Sequence, residues 1–102
     1  MKAVEEKSDK QSAKDYEVIA EVTTGFNMCS EFDPGFRSRY STAFDAWGGR
    51  NAAAYKAFSA NPKSAQDVRD RMNRTRERTA GDDLEAQAKR EAVCARVKAV
   101  LQ

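Results

Sequence analysis

Cys29 and Cys94 are the two side chains of this chain that could form a covalent cross-link. Free cysteine behaves as a small buried apolar residue, so the pair could simply fill the core. Joined, they form a disulfide, which implies an oxidising compartment. Other chemistry is thin. The absence of histidine removes the commonest general base, zinc ligand and pH switch. Glu31 and Asp33 flank a turn and form the one acid pair of note. Glycoside hydrolysis needs two carboxylates across a cleft, and a helix cap beside a surface acid explains this pair without one. No glycine-rich phosphate loop, Cys-x-x-Cys pair or activated serine setting occurs. The sequence therefore assigns no catalytic, metal or cofactor residue, and the expected activity is non-enzymatic.

A second constellation is basic. Arg69, Arg71, Arg74, Arg76 and Arg78 concentrate in one stretch, offset by Asp67, Asp70 and Glu77. On a helical wheel, Arg69 and Arg76 border one side of a narrow apolar line. Arg71 and Arg78 border the other, with Arg74 beyond them. Arginine stems on both borders suit snorkelling over a thin core line. As recognition residues, Arg71, Arg74 and Arg78 are the candidates, toward an acidic protein surface first and nucleic acid second. Phe32 and Tyr40, near the Glu31–Asp33 turn, would complete a protein-binding patch if exposed. Two polar residues fall on apolar faces. Asn51 sits between Trp47 and Tyr55 and needs hydrogen-bond partners if buried. Arg90 sits within the apolar face of the last segment, paired with an acid or placed where that segment overhangs.

The elements that must hold these residues are helical. Ala, Arg, Lys, Glu and Gln abound, β-branched residues are sparse, and apolar–polar alternation is missing. The fold class expected is all-α, a small three- to four-helix bundle around a long aromatic central helix. Residues 1–11 read as a polar tail and residues 12–102 as one helical domain. The first segment runs over about residues 12–29, with Val18, Val22, Gly25 and Cys29 on one face and Ile19 and Phe26 widening it. The second starts with Asp33 as N-cap and Pro34 in the first turn. Phe36, Tyr40, Phe44, Trp47, Tyr55 and Phe58 keep one phase across Gly48-Gly49, which favours a single helix to about residue 59. Six of the nine aromatics lie on it, so it is the expected centre. Asn61-Pro62 closes it, and Ser64 can cap the third segment, over about residues 65–79. Gly81 then stops the chain, and Asp82 or Asp83 caps a fourth segment running to about residue 101.

Helix lengths constrain the cysteines. A second segment of about 39 Å and a third of about 24 Å leave Cys94 far below Cys29 in a simple up-down bundle. A disulfide tolerates a Cα separation of no more than about 7 Å. On straight helices, the bond therefore demands that the third segment cross as a connector and that the fourth run antiparallel to the second.

The chain has 102 residues, with 18 basic and 16 acidic side chains and a formal net charge of +2. That is one domain's length, and the charge is too balanced to imply a polyanion partner by itself. No apolar run approaches the roughly 20 residues a membrane span needs, and no signal peptide is evident. The two settings expected are the cytoplasm, or a periplasmic or secreted mature form with an added Met1. A cysteine, a tryptophan-bearing aromatic helix and a C-terminal cysteine in a short helical chain resemble small exported bacterial helical proteins. That resemblance is architectural and implies no activity. The function expected is a small protein-binding or inhibitor-like accessory protein, exported and disulfide-stapled. The alternative is a cytoplasmic nucleic-acid-binding or regulatory protein using the arginine-rich segment.

Overall fold

Helix-favouring composition and punctuation at Asp33-Pro34, Asn61-Pro62 and Gly81 divide the chain into helices joined by short turns. In the computed structural model, which describes the backbone of residues 2–102 and the side chains of residues 12–102, these are α1 (Lys2–Phe32), α2 (Phe36–Arg50), α3 (Ala52–Ala60), α4 (Ser64–Thr79) and α5 (Leu84–Leu101). The class is all-α. The expected polar tail over residues 1–11 lies outside the described side chains, while the backbone is helical from Lys2.

The centre of the bundle is α1, not the aromatic segment. It packs against all four other helices. Ile19, Ala20, Val22, Thr24, Phe26, Met28 and Cys29 are all buried, on every side of the helix. A helix buried all round is a core helix. Its small residues are what permit close neighbours. A Cβ built on Gly25 would stand 2.5 Å from Val97 Cγ2 of α5.

The aromatic segment is two helices. At Asn51 the backbone leaves helical geometry, with φ −121° and ψ 31°. Its N–H is shared between the carbonyls of Trp47 at 3.1 Å and Gly48 at 3.2 Å, and its side-chain amide donates to Trp47 O at 2.9 Å. Local side-chain bonding of this kind competes with the helical ladder. Only one residue is lost, so the aromatic stripe keeps its phase and does not betray the break. Gly48 and Gly49 are not a close crossing, since a Cβ at either would meet nothing within 4 Å. The aromatics instead form a chain against α1. Phe26 meets Phe36 at 5.7 Å and Phe44 at 4.4 Å, and Phe44 meets Trp47 at 5.6 Å.

Cys29 and Cys94 are disulfide-bonded, with Cα atoms 5.6 Å apart. The topology that accomplishes this is the simple up-down one, correcting the expectation of a crossing connector. Phe36 packs on Phe26 and Phe58 on Tyr16, so α2 and α3 run antiparallel to α1. Tyr16 meets Asp67 and Glu31 meets Arg76, so α4 runs parallel to it. Cys94 meets Cys29 and Val97 meets Gly25, so α5 runs antiparallel again. The broken α2–α3 unit moves from the level of Phe26 only to that of Tyr16, about 15 Å along α1 at 1.5 Å per residue. A straight helix of the same residues would descend more than twice as far. Far from being a thin connector, α4 lies along α1 as a full member of the bundle.

The turns are closed by side chains. Asp33 Oδ1 accepts from Gly35 N at 3.0 Å, and α2 begins at Phe36, two residues beyond the expected start. Ser64 is the first helical residue of α4, and its buried hydroxyl donates to Phe58 O at 2.7 Å. Asp83 caps α5 by accepting from Ala86 N at 2.9 Å. Gly81 takes φ 120°, a conformation glycine adopts without steric cost.

Candidate functional site

Of the five arginines of α4, Arg69 donates to Gln66 of its own helix at 2.8 Å, and the other four divide into two groups. Arg71 and Arg76 clip α4 to α1. Arg71 donates from Nη1 and Nη2 to the two oxygens of Glu17, each at 2.8 Å, and from Nε to Asp67 Oδ1 at 3.0 Å. Tyr16 donates to the other Asp67 oxygen at 2.6 Å. Arg76 makes a second fork on Glu31, at 2.9 Å from both Nε and Nη2. Fork-on-carboxylate pairs fix geometry as well as charge. The Arg71 guanidinium holds the Glu17 carboxyl below its ordinary range. The Tyr16 hydroxyl, then Arg71, does the same for Asp67. The phenol of Tyr16 is pushed up in return. Arg76 lowers Glu31.

Arg74 and Arg78, with Arg96 of α5, enter no ion pair among the described residues. All three line a groove of about 810 Å³ that runs over α1 between α4 and α5. Its floor is apolar: Val22, Gly25 and Met28 from α1, and Val93, Val97 and Val100 from α5. Lys89 adds a fourth cation on the rim, where it pairs with Glu85 at 3.4 Å. Glu21 and Glu77 are the acids of the lining, and the five cations, Arg71 included, outnumber them. Outside the lining, Arg90 donates to Thr79 O at 2.7 Å and Gly81 O at 3.0 Å and so ties the end of α4 to α5. Thr24 also lines the groove, and its buried hydroxyl has no hydrogen-bond partner. Thr23, next to it, has the same unpaired buried hydroxyl.

The structure thus brings Arg74 and Arg78 to a groove together with Arg96, which the sequence did not single out. It places Arg71 at the edge of that groove, committed to Glu17 and Asp67. Phe32 is half-buried near the disulfide end. Tyr40 is half-buried, stacked 4.7 Å from Phe36, with the Lys98 ammonium 5.7 Å above its ring. Neither shares the groove. Asn51 is half-buried and satisfied by Trp47 O. Arg90 is half-buried and meets backbone carbonyls instead of the acid expected for it. Glu31 and Asp33 are held by separate partners, Arg76 and Arg39, and the Arg39 guanidinium with the Gly35 N–H keeps the Asp33 carboxyl low. Among the described residues no cluster of three His, Cys, Asp or Glu could hold a metal ion, and no helix is long and apolar enough to cross a membrane.

The groove could be found only from the packing of α4 against α5 on α1. The sequence signal it does carry is a spacing of three or four residues in Lys89, Val93, Arg96 and Val100. Comparison of the chain with protein-family models, curated proteins and solved structures finds no match.

Proposed function

We propose that this protein acts by binding another protein, without catalysis, through the groove between α4 and α5. The observation that carries the reading is the juxtaposition there of an apolar floor with Arg74, Arg78 and Arg96, none of them ion-paired among the described residues. Interaction sites combine an apolar centre with a polar rim in which arginine is enriched. The Cys29–Cys94 bond supports a periplasmic or secreted setting, since disulfides persist in oxidising compartments, and suits an inhibitor-like accessory role. Use of the arginine-rich helix on nucleic acid is the weaker reading. Arg71 and Arg76 are already neutralised by Glu17, Asp67 and Glu31, and Arg74, Arg78 and Arg96 line a groove with an apolar floor instead of forming the continuous basic face that tracks a phosphate backbone.

A photo-crosslinking residue at Ala92, in the groove lining, tests this against the same residue at exposed Ala57 on α3. The expected result is one discrete protein adduct from Ala92, absent from Ala57, and lost when Arg74 and Arg96 become Ala. Adducts from both positions alike, or an adduct with nucleic acid, would overturn the reading.

A further inference from the structure

We infer that the occupant of the groove is an amphipathic α-helix of the partner, bearing acidic residues on the flanks of its apolar stripe. This rests on the protein-binding reading above and specifies its chemistry. The walls of the groove are themselves helical stripes. On α5 the lining recurs at Lys89, Val93, Arg96 and Val100, and on α4 at Arg71, Arg74, Thr75 and Arg78. The α5 wall spans about 16 Å and the α4 wall about 10 Å, from 1.5 Å of rise per residue. Two to three turns of a helix fill that length, and such a helix presents anchors at i, i+3 or i+4, and i+7.

The floor supplies what those anchors need. Val93 and Val100 offer accessible branched aliphatic surface, with Val22, Val97 and Met28 buried directly beneath it. Val100 is 40% exposed, and Val18, which shares the Val22–Gly25 face of α1, is 44% exposed. Apolar surface thus continues past the Val100 end of the groove.

Charge complementarity selects the flanks. Arg74 and Arg78 stand on one wall and Arg96 on the other. A helix lying between them faces positive charge on both sides. Glu21 and Glu77 reduce this field without cancelling it, because three guanidiniums that enter no ion pair among the described residues, Arg74, Arg78 and Arg96, face two carboxylates, while Arg71 and Lys89 are held by acids outside the lining. Acidic flanks are therefore attracted on both walls, and basic flanks are repelled.

Binding of synthetic helical peptides of about 18 residues, long enough to hold helix in solution, tests the inference on the intact oxidised chain. One probe carries a Leu/Val stripe flanked by Glu, a second the same stripe flanked by Lys, and a third the Glu-flanked composition with its stripe scrambled. The Glu-flanked probe is expected to bind at least about tenfold more tightly than either control. Raising the salt weakens it. Arg74→Ala with Arg96→Ala costs about tenfold or more in Kd, while Lys56→Ala on α3 changes nothing. Circular dichroism and the mass of the oxidised form verify that the variants are folded. Equal binding of the Lys-flanked or scrambled probe would overturn the inference. So would displacement of the Glu-flanked probe by a fatty acid or by short RNA at lower concentration than the unlabelled peptide. So would burial of the groove in a dimer of the free chain, read by sedimentation. If the Ala92 crosslink to a protein stands while the Glu-flanked probe fails, the protein-binding reading survives and the acidic helix does not. If the crosslink also fails, both fall.

Discussion

Val97 Cγ2 of α5 occupies the space that a Cβ on Gly25 of α1 would need, at 2.5 Å from its position. Val97 and Gly25 are both buried, and the contact lies one turn below the Cys29–Cys94 bond, so the two together fix α5 against α1. Gly25→Ala is expected to force α5 outward and to destabilise by about 1–3 kcal/mol, the usual cost of overpacking. Val97→Ala in the same chain restores part of the loss, read as the coupling in a double-mutant cycle.

Gly48 and Gly49 carry the opposite expectation. Both have negative φ and open space where a Cβ would stand. Alanine at either position is expected to stabilise by about 0.5–1 kcal/mol, seen as a higher midpoint in urea. The break at Asn51 persists, because Asn51 and Trp47 make it and the glycines do not.

The unpaired hydroxyl of Thr24 is a local cost. Thr24→Val replaces a buried group with no partner by a methyl of nearly the same shape. It is expected to raise stability by about 1 kcal/mol in chemical denaturation. Ser64→Ala is the contrasting case. It removes the donor to Phe58 O and is expected to destabilise by about 1 kcal/mol.

The acid side of the stability profile follows from the arginine clips. Glu17, Glu31 and Asp67 have carboxyls held below their ordinary values. Each contributes stability that is complete above its ordinary pKa and is lost as the pH falls through the lowered one. Stability is therefore expected to decline from about pH 5 downward. Arg71→Met is expected to cost about 1 kcal/mol at neutral pH, and the gap to the parent closes toward about pH 3. Salt narrows it as well, since Glu17 is half exposed. Tyr16 acts at the other extreme. Its phenol is pushed above its ordinary value, so its contribution holds below about pH 10 and is lost as the pH rises through the raised pKa.

The disulfide closes a separation of 65 residues. In the chain-entropy account a loop of that size is worth about 4 kcal/mol. Reduction, or Cys29→Ser with Cys94→Ser, is expected to lower the unfolding free energy by about that amount. The intact mass rises by about 2 Da on reduction.

Local punctuation was the most legible part of this fold. Asp83 as a cap, Gly81 as a stop and the Asn61-Pro62 turn can be read directly, because each acts through its immediate neighbours. The helical faces bearing Cys29 and Cys94 were legible too. The central role of α1 was not. Its buried residues include Ala20, Thr24, Gly25 and Cys29, which carry little hydrophobic weight, whereas the aromatics of α2 and α3 dominate any apolar pattern. Counting aromatics therefore pointed to the wrong helix. The topology is hidden from the sequence for a related reason. The axial length of the aromatic segment follows from its residue count only if it is straight, and a one-residue break at Asn51 leaves no mark on periodicity. Among the candidate contacts, Arg74 and Arg78 reach the groove freely while Arg71 does not. The difference lies in Glu17, which is distant in sequence from Arg71 and adjacent only once α1 and α4 pack. Arg96 carries no sequence signal of its own, because its partners in the groove come from two other helices.

Binding of an acid-flanked helix between α4 and α5 can be located residue by residue through amide chemical-shift mapping with that peptide. The largest shifts are expected at Gly25, Val93, Arg96 and Val97, with Ala57 and Lys56 on α3 unmoved. Shifts centred on the α2–α3 break, or none at saturating peptide, would contradict it.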